Sequence, residues 1–123
     1  MNNHFQVLVP YLHVADVAAT IAFYKLLGFE AVNTLVPPGM AGPVWAFLRC
    51  GAAQLMAARA CEPVDPRQQA VLFYLYCDDV AAMRLNLQAV GVAAGPIVTP
   101  PHAPRGEFRV TDPDGYSLMI HHT

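Results

Sequence analysis

"DVAATIAFYKLLG", Asp16 to Gly28, and "DVAAMRLNLQAVG", Asp79 to Gly91, share their first four letters and, after eight intervening residues, their closing glycine. Each opens on a residue suited to cap a helix N-terminus, because its carboxylate can accept from an otherwise unpaired amide of the first turn. Each closes on the residue that adopts the left-handed C-terminal cap without steric penalty. In the first copy Val17, Ile21, Tyr24 and Leu27 recur at helical spacing, so the stretch reads as one amphipathic helix of about three turns. A single copy carries no functional content, since any helix of this length would use these ends. The information lies in the repeat.

Outward from the two helices the order of elements is the same. A Val- and Tyr-rich run, Phe5 to Val14, leads into the first helix, and three short strands follow it: Phe29–Val36, Val44–Arg49 and Ala53–Ala58. Residues 61–69, C-E-P-V-D-P-R-Q-Q, are polar and hold two prolines, which marks a linker. Beyond it come a strand over Ala70–Cys77, the second helix, a weak strand near Ile97, a strand over Glu107–Thr111, the turn D-P-D-G and a strand over Tyr116–His121. Shifted by the same 63 positions, Gln54-Leu55-Met56 falls on Ser117-Leu118-Met119 and Val9 falls on Leu72. The chain is therefore a tandem pair of βαβββ units, 4–60 and 70–123, within one α+β domain spanning 1–123. Two such sheets, each covered by a helix on one face, keep a second face free to line a cavity.

Composition narrows the function. Apolar residues make up 55% of the 123 and charged residues only 13%, more grease than one small core absorbs. A hydrophobic cavity and a subunit interface are the expected uses of the excess. Seven scattered Lys and Arg residues and a net charge of -2 provide no basic stripe for nucleic acid. No apolar run reaches the roughly 20 residues that span a bilayer, and M-N-N-H-F-Q lacks the pattern of a secretory signal, so a cytoplasmic protein is expected. Cys50, Cys61 and Cys77 lack C-x-x-C spacing and are expected to be free thiols.

The stretches V-A-D-V-A-A-T-I-A-F-Y-K-L-L-G-F-E-A, L-R-C-G-A-A-Q-L-M, Y-C-D-D-V-A-A and G-E-F-R-V-T-D-P-D-G-Y-S-L-M-I follow nearly the whole chain in order. Together they resemble the vicinal oxygen chelate superfamily, which includes glyoxalases, bleomycin resistance proteins and extradiol dioxygenases. The resemblance implies paired βαβββ modules forming a curved mixed sheet around a cavity, with helices outside, and a homodimer. It also implies, in the metal-dependent members, ligands on the first, fourth, fifth and last strands. Counting seven before Asp16 and Asp79, and seven after Asp112, places those positions at Val9, Leu72 and Met119, with Met56 as the repeat mate of Met119. Hydrocarbons and thioethers do not hold a catalytic divalent cation, which needs imidazole, carboxylate or thiolate donors. No metal and no cofactor are expected.

Strand alternation puts Val9, Tyr11 and His13 on the cavity face of the first strand and Leu72, Tyr74 and Tyr76 on that of the fifth. Gln54, Met56, Ser117, Met119 and His121 join them from the last strand of each unit, Trp45 from a Gly- and Pro-rich loop, and Arg109 from the strand before D-P-D-G. The expected ligand-binding set is thus Tyr11, His13, Trp45, Gln54, Met56, Tyr74, Tyr76, Arg109, Met119 and His121. Such a lining suits a small aromatic or amphipathic organic molecule. Sequestration of that molecule, as in the bleomycin resistance proteins, is the first expectation. A glyoxalase-related lyase, isomerase or dioxygenase with displaced ligands, drawn from His13, His102 or His121, is the alternative.

Overall fold

A computed structural model describes residues 3–123. The first unit runs β1 (Tyr11–Val14), α1 (Val17–Leu26), β2 (Glu30–Leu35), β3 (Trp45–Cys50) and β4 (Ala53–Arg59). After a 3-10 turn at Pro66–Gln68 the second runs β5 (Leu72–Cys77), α2 (Val80–Ala89), β6 (Glu107–Thr111) and β7 (Ser117–His122). The sheets are ordered β1-β4-β3-β2 and β5-β7-β6. Both helices use the caps read from sequence: Asp16 accepts from Ala19 N, Asp79 accepts from Ala82 N, and Gly28 and Gly91 hold φ of 98° and 90°.

The repeat is a repeat of register. Tyr11 pairs with Met56 and His13 with Ala58; moved by 63, these become Tyr74 with Met119 and Tyr76 with His121, which are the observed pairs. The middle strands have slipped by one. Trp45 faces Ala58 whereas Glu107 faces His121, a shift of 62 on one strand against 63 on its partner.

Two strand expectations are corrected. The run from Phe5 pairs only from Tyr11: Pro10 O accepts from Met56 N at 2.8 Å, but Pro10 has no N–H to carry the ladder on, and Phe5, Val7 and Leu8 are exposed. The weak strand near Ile97 contracts to one bridge, Val98 with Glu107, because Pro96, Pro100 and Pro101 deny it donors on both sides.

The helix-covered faces of the two sheets share a single core. Leu12, Val14, Leu48 and Leu55 of the first unit and Phe108, Val110, Leu118 and Ile120 of the second belong to one buried cluster with Val17, Tyr24, Val80 and Leu87 of the helices. The opposite face of each sheet is therefore turned to solvent, with Tyr11, Leu35, Leu72 and Tyr76 all exposed.

A polar clasp locks the units together. Asp112 and Asp114 of the D-P-D-G turn are buried. Asp112 Oδ1 accepts from Asp114 N and Tyr116 N, both at 2.9 Å, and its Oδ2 accepts from Tyr24 Oη at 2.7 Å. Asp114 Oδ1 accepts from Ala15 N at 2.8 Å, and Tyr116 Oη donates to His13 O at 3.0 Å. Pro66 of the linker turn lies so near Gly115, whose φ is 85°, that a Cβ there would stand 2.3 Å from Pro66 O. Burial raises the Asp112 carboxyl above the usual carboxylate range, with the hydrogen bonds opposing it. Burial, and then the Asp112 charge, likewise raise the Tyr24 phenol.

Two outcomes follow for stability. Tyr24→Phe strands Asp112 Oδ2 without a donor and should cost about 1–3 kcal/mol in urea unfolding. Because the folded state holds the Asp112 proton more tightly than the unfolded chain, this group's contribution to stability falls as pH rises from the ordinary carboxylate pKa through the raised folded one. Unfolding midpoints across acidic pH should therefore show the wild type gaining on Asp112→Asn as pH is lowered; a constant gap would contradict this.

Candidate ligand-binding faces

Strand alternation sends the ten expected residues to the free faces of the two sheets, five to each. On the first, Trp45, Ala58 and His13 lie in one cross-strand row, and Tyr11, Met56 and Phe47 lie in the next. The rings of Tyr11 and His13 meet edge to face at 5.5 Å. Gln54 follows on the same face, one step along β4.

On the second sheet Tyr74, Met119 and Arg109 form one row and Tyr76, His121 and Glu107 the next. Tyr76 stacks obliquely on His121 at 4.9 Å, and Tyr74 sits 5.8 Å from the same imidazole. Arg109 Nη1 reaches Ser117 Oγ at 3.5 Å, the outer limit of a hydrogen bond. One cavity of about 240 Å³ is lined from both units; there Gln54 and Tyr74 meet beside Leu8 and Pro10. Otherwise the two sets look outward from a shared core and are not brought together within one chain.

Two residues outside the expected set shape the second face. Glu107 is only 2% exposed, a buried carboxylate that requires donors. His102 provides one: its loop folds back over β6, so Nε2 lies 3.2 Å from Glu107 Oε1 and 3.2 Å from Tyr74 Oη. Desolvation raises the Tyr74 phenol, and the nearby Glu107 charge adds to it. Tyr74 is thus held as a neutral phenol. His121 Nε2 contacts His102 O at 3.5 Å, while its Nδ1 is buried without a hydrogen-bond partner. With Nε2 as the donor, Nδ1 carries a lone pair that nothing among the described residues satisfies.

The sequence held the His102 and Glu107 letters without their association, because the reach depends on a Pro-rich loop doubling back across five residues. Arg105 of the same loop donates to Thr123 O.

A metal fits neither face at the positions the fold would use. Val9, Met56, Leu72 and Met119 provide no anionic or imidazole donor, and among the described residues no group of three or more His, Cys, Asp or Glu side chains could hold an ion. No helix among the described residues is long and apolar enough to cross a membrane.

These features define a tandem α+β protein, a βαβββ unit followed by a βαββ copy with one isolated bridge, whose free sheet faces carry polar and aromatic side chains. The sequence profile of the Glyoxalase/Bleomycin resistance protein/Dioxygenase superfamily matches residues 3–120, and the chain belongs to that superfamily. No curated protein sequence matches it. Among solved structures it is similar to a bleomycin-binding protein complexed with bleomycin (TM-score 0.77, 23% identity, covering 97% of this chain and 99% of that one). It is also similar to the bleomycin-binding protein of Streptomyces verticillus complexed with copper(II)-bleomycin (0.75, 22%, 99% of each chain). A third is TnmS3, an antibiotic-binding protein from Streptomyces sp. CB03234 (0.72, 22%, 99% and 98%). At these identities the likeness establishes the mixed α+β fold.

Replacing His121 with Phe removes the unsatisfied nitrogen and keeps a ring against Tyr76. An apolar ring has no buried lone pair to desolvate, so the variant should match or exceed the wild type in thermal and urea stability. A loss of 2 kcal/mol or more, taking the upper part of the usual mutational range as the roughly drawn limit, would show that Nδ1 is satisfied in solution.

Proposed function

We propose that the protein binds a small aromatic or amphipathic organic molecule without a metal, and that it does so as a homodimer. The observation that carries the reading is the second sheet face. Tyr74, Tyr76 and His121 offer flat rings for stacking, and the buried Nδ1 of His121 offers an acceptor with no partner. Bleomycin- and antibiotic-binding neighbours share the fold and support sequestration over turnover.

The dimer follows from what one chain leaves open. Tyr11, His13, Trp45 and Met56 on the first unit have no counterpart facing them, and neither do Tyr74, Tyr76 and His121 on the second. A second copy, placing its second face over this chain's first, would close two cups at once, as a two-fold interface requires. The exposed Phe5, Val7 and Leu8 add apolar surface for the same contact.

Trp45 is the only tryptophan and lies on the first face, so it reports occupancy of the cup. Titration with planar aromatic compounds and antibiotics should quench it, equally with and without EDTA, on a protein that light scattering finds to be dimeric. Tyr76→Ala and His121→Phe should each weaken binding about tenfold, the effect of one lost stacking or hydrogen-bonding contact of about 1.4 kcal/mol. A monomer, or quenching abolished by EDTA, would count against the proposal.

The Glu107–His102 pair beside the His121 imidazole favours one second reading: a metal-independent lyase or isomerase in which His121 takes a proton from bound substrate. Mass spectrometry of the recovered ligand separates the two, since sequestration returns it unchanged.

A further inference from the structure

On the helix side of the sheets, opposite the faces proposed for the ligand, the seam between the two units holds a cavity of about 140 Å³. Leu27, Phe29 and Cys50 line it from the first unit, and Leu75, Cys77 and Met83 from the second. No charged side chain contributes. Its position follows from the imperfect repeat. Shifted by 63, Tyr24 becomes Leu87, and with the one-residue slip of the middle strands Asp112 becomes Cys50. Both Leu87 and Cys50 line the cavity. Where one side of the seam carries the buried Tyr24–Asp112 hydrogen bond, the other carries two apolar groups that cannot reach across. The void is the unfilled image of the clasp.

We propose that this seam cavity is a second binding site, for one small uncharged apolar molecule the size of a single aromatic or alicyclic ring. Water needs two to four polar partners to settle in such a space, and the lining offers little beyond two thiols and the Tyr76 phenol. Enclosed dry cavities of about this volume, walled by Leu, Ile and Phe, take up benzene-sized guests, and this pocket offers a similar apolar lining with one side open to solvent. Burial raises the Cys77 thiol above its ordinary value, so this sulfur stays neutral and adds no charge to the lining. An occupant would touch both units at once, bracing the seam on the side that lacks the clasp. Tyr76 lines this cavity and also belongs to the second ligand face, so the two sites share a wall.

The chain carries its own reporters. Cys50 and Cys77 line the cavity and are half-buried, whereas Cys61 is exposed in the linker and serves as an internal control. The three thiols are modified with methyl methanethiosulfonate, and their rates are read by peptide mass spectrometry with benzene, with benzoate and with neither. Only the empty fraction reacts, so benzene at ten times its Kd should slow Cys50 and Cys77 roughly tenfold and leave Cys61 unchanged. The melting temperature should rise in parallel. Benzoate should do neither, because its charge has no partner there. Ala53→Leu, or Met83→Phe should the first variant fold poorly, fills the space and should abolish both effects. Equal rates at all three thiols with and without benzene, protection by benzoate as strong as that by benzene, or protection that survives filling would each overturn the proposal.

Discussion

The hydrogen bond from Tyr24 to Asp112 joins residues 88 apart in sequence and ties the first helix to the last hairpin. Its strength comes from its setting. Asp112 and Tyr24 are both buried, so neither partner can fall back on water in the folded chain, and losing either one would leave the other buried and unpaired. The same turn holds Asp114 against the amide of Ala15, one residue before the cap of α1. Two carboxylates of one turn, Asp112 and Asp114, thereby fix both the position of the helix and the end of the strand that carries Tyr11 and His13.

Once the helix-covered faces are committed to a common core, the remaining faces have no choice but to look outward. A chain this rich in apolar residues then exposes Tyr11, Leu72 and Tyr76 together with the apolar arm around Phe5, which is the surface a partner or ligand must cover. The same constraint that stabilises the single chain makes its binding faces incomplete. The clasp fixes how the two units meet, and with it the outward direction of both free faces.

Local rules made much of this readable in advance. Asp16, Gly28, Asp79 and Gly91 cap their helices because capping depends on a few consecutive residues. The faces of Tyr11, His13, Tyr74 and Tyr76 follow from alternation, and the shared register from the constant offset. What was hidden is non-local. Nothing in the letters of D-P-D-G says that its first carboxylate will meet a tyrosine on α1, or that a Pro-rich loop will return His102 to Glu107. Whether two free faces meet within a chain or across two is decided by the seam, whose chemistry is spread over four distant segments. The first strand was overextended because Phe5 to Val14 has β-forming composition throughout. Pro10 ends the ladder by lacking a single hydrogen.

The duplication thus conserves shape and distributes everything else unevenly. Each unit keeps the helix caps and the cross-strand rows, for these let either half fold its own sheet. The seam needs only one strong polar joint, and a second copy of it would bury another carboxylate at a cost that a partner phenol only partly offsets. Leu87 and Cys50 at the matching positions avoid that cost and leave a gap. A similar division holds on the outward faces, where Tyr76 and His121 make an aromatic pair while their mates His13 and Ala58 leave room for Trp45. Equal frames thus carry unequal faces: the second with the paired rings of Tyr76 and His121, the first with the broad indole of Trp45, and the proposed dimer would set one against the other.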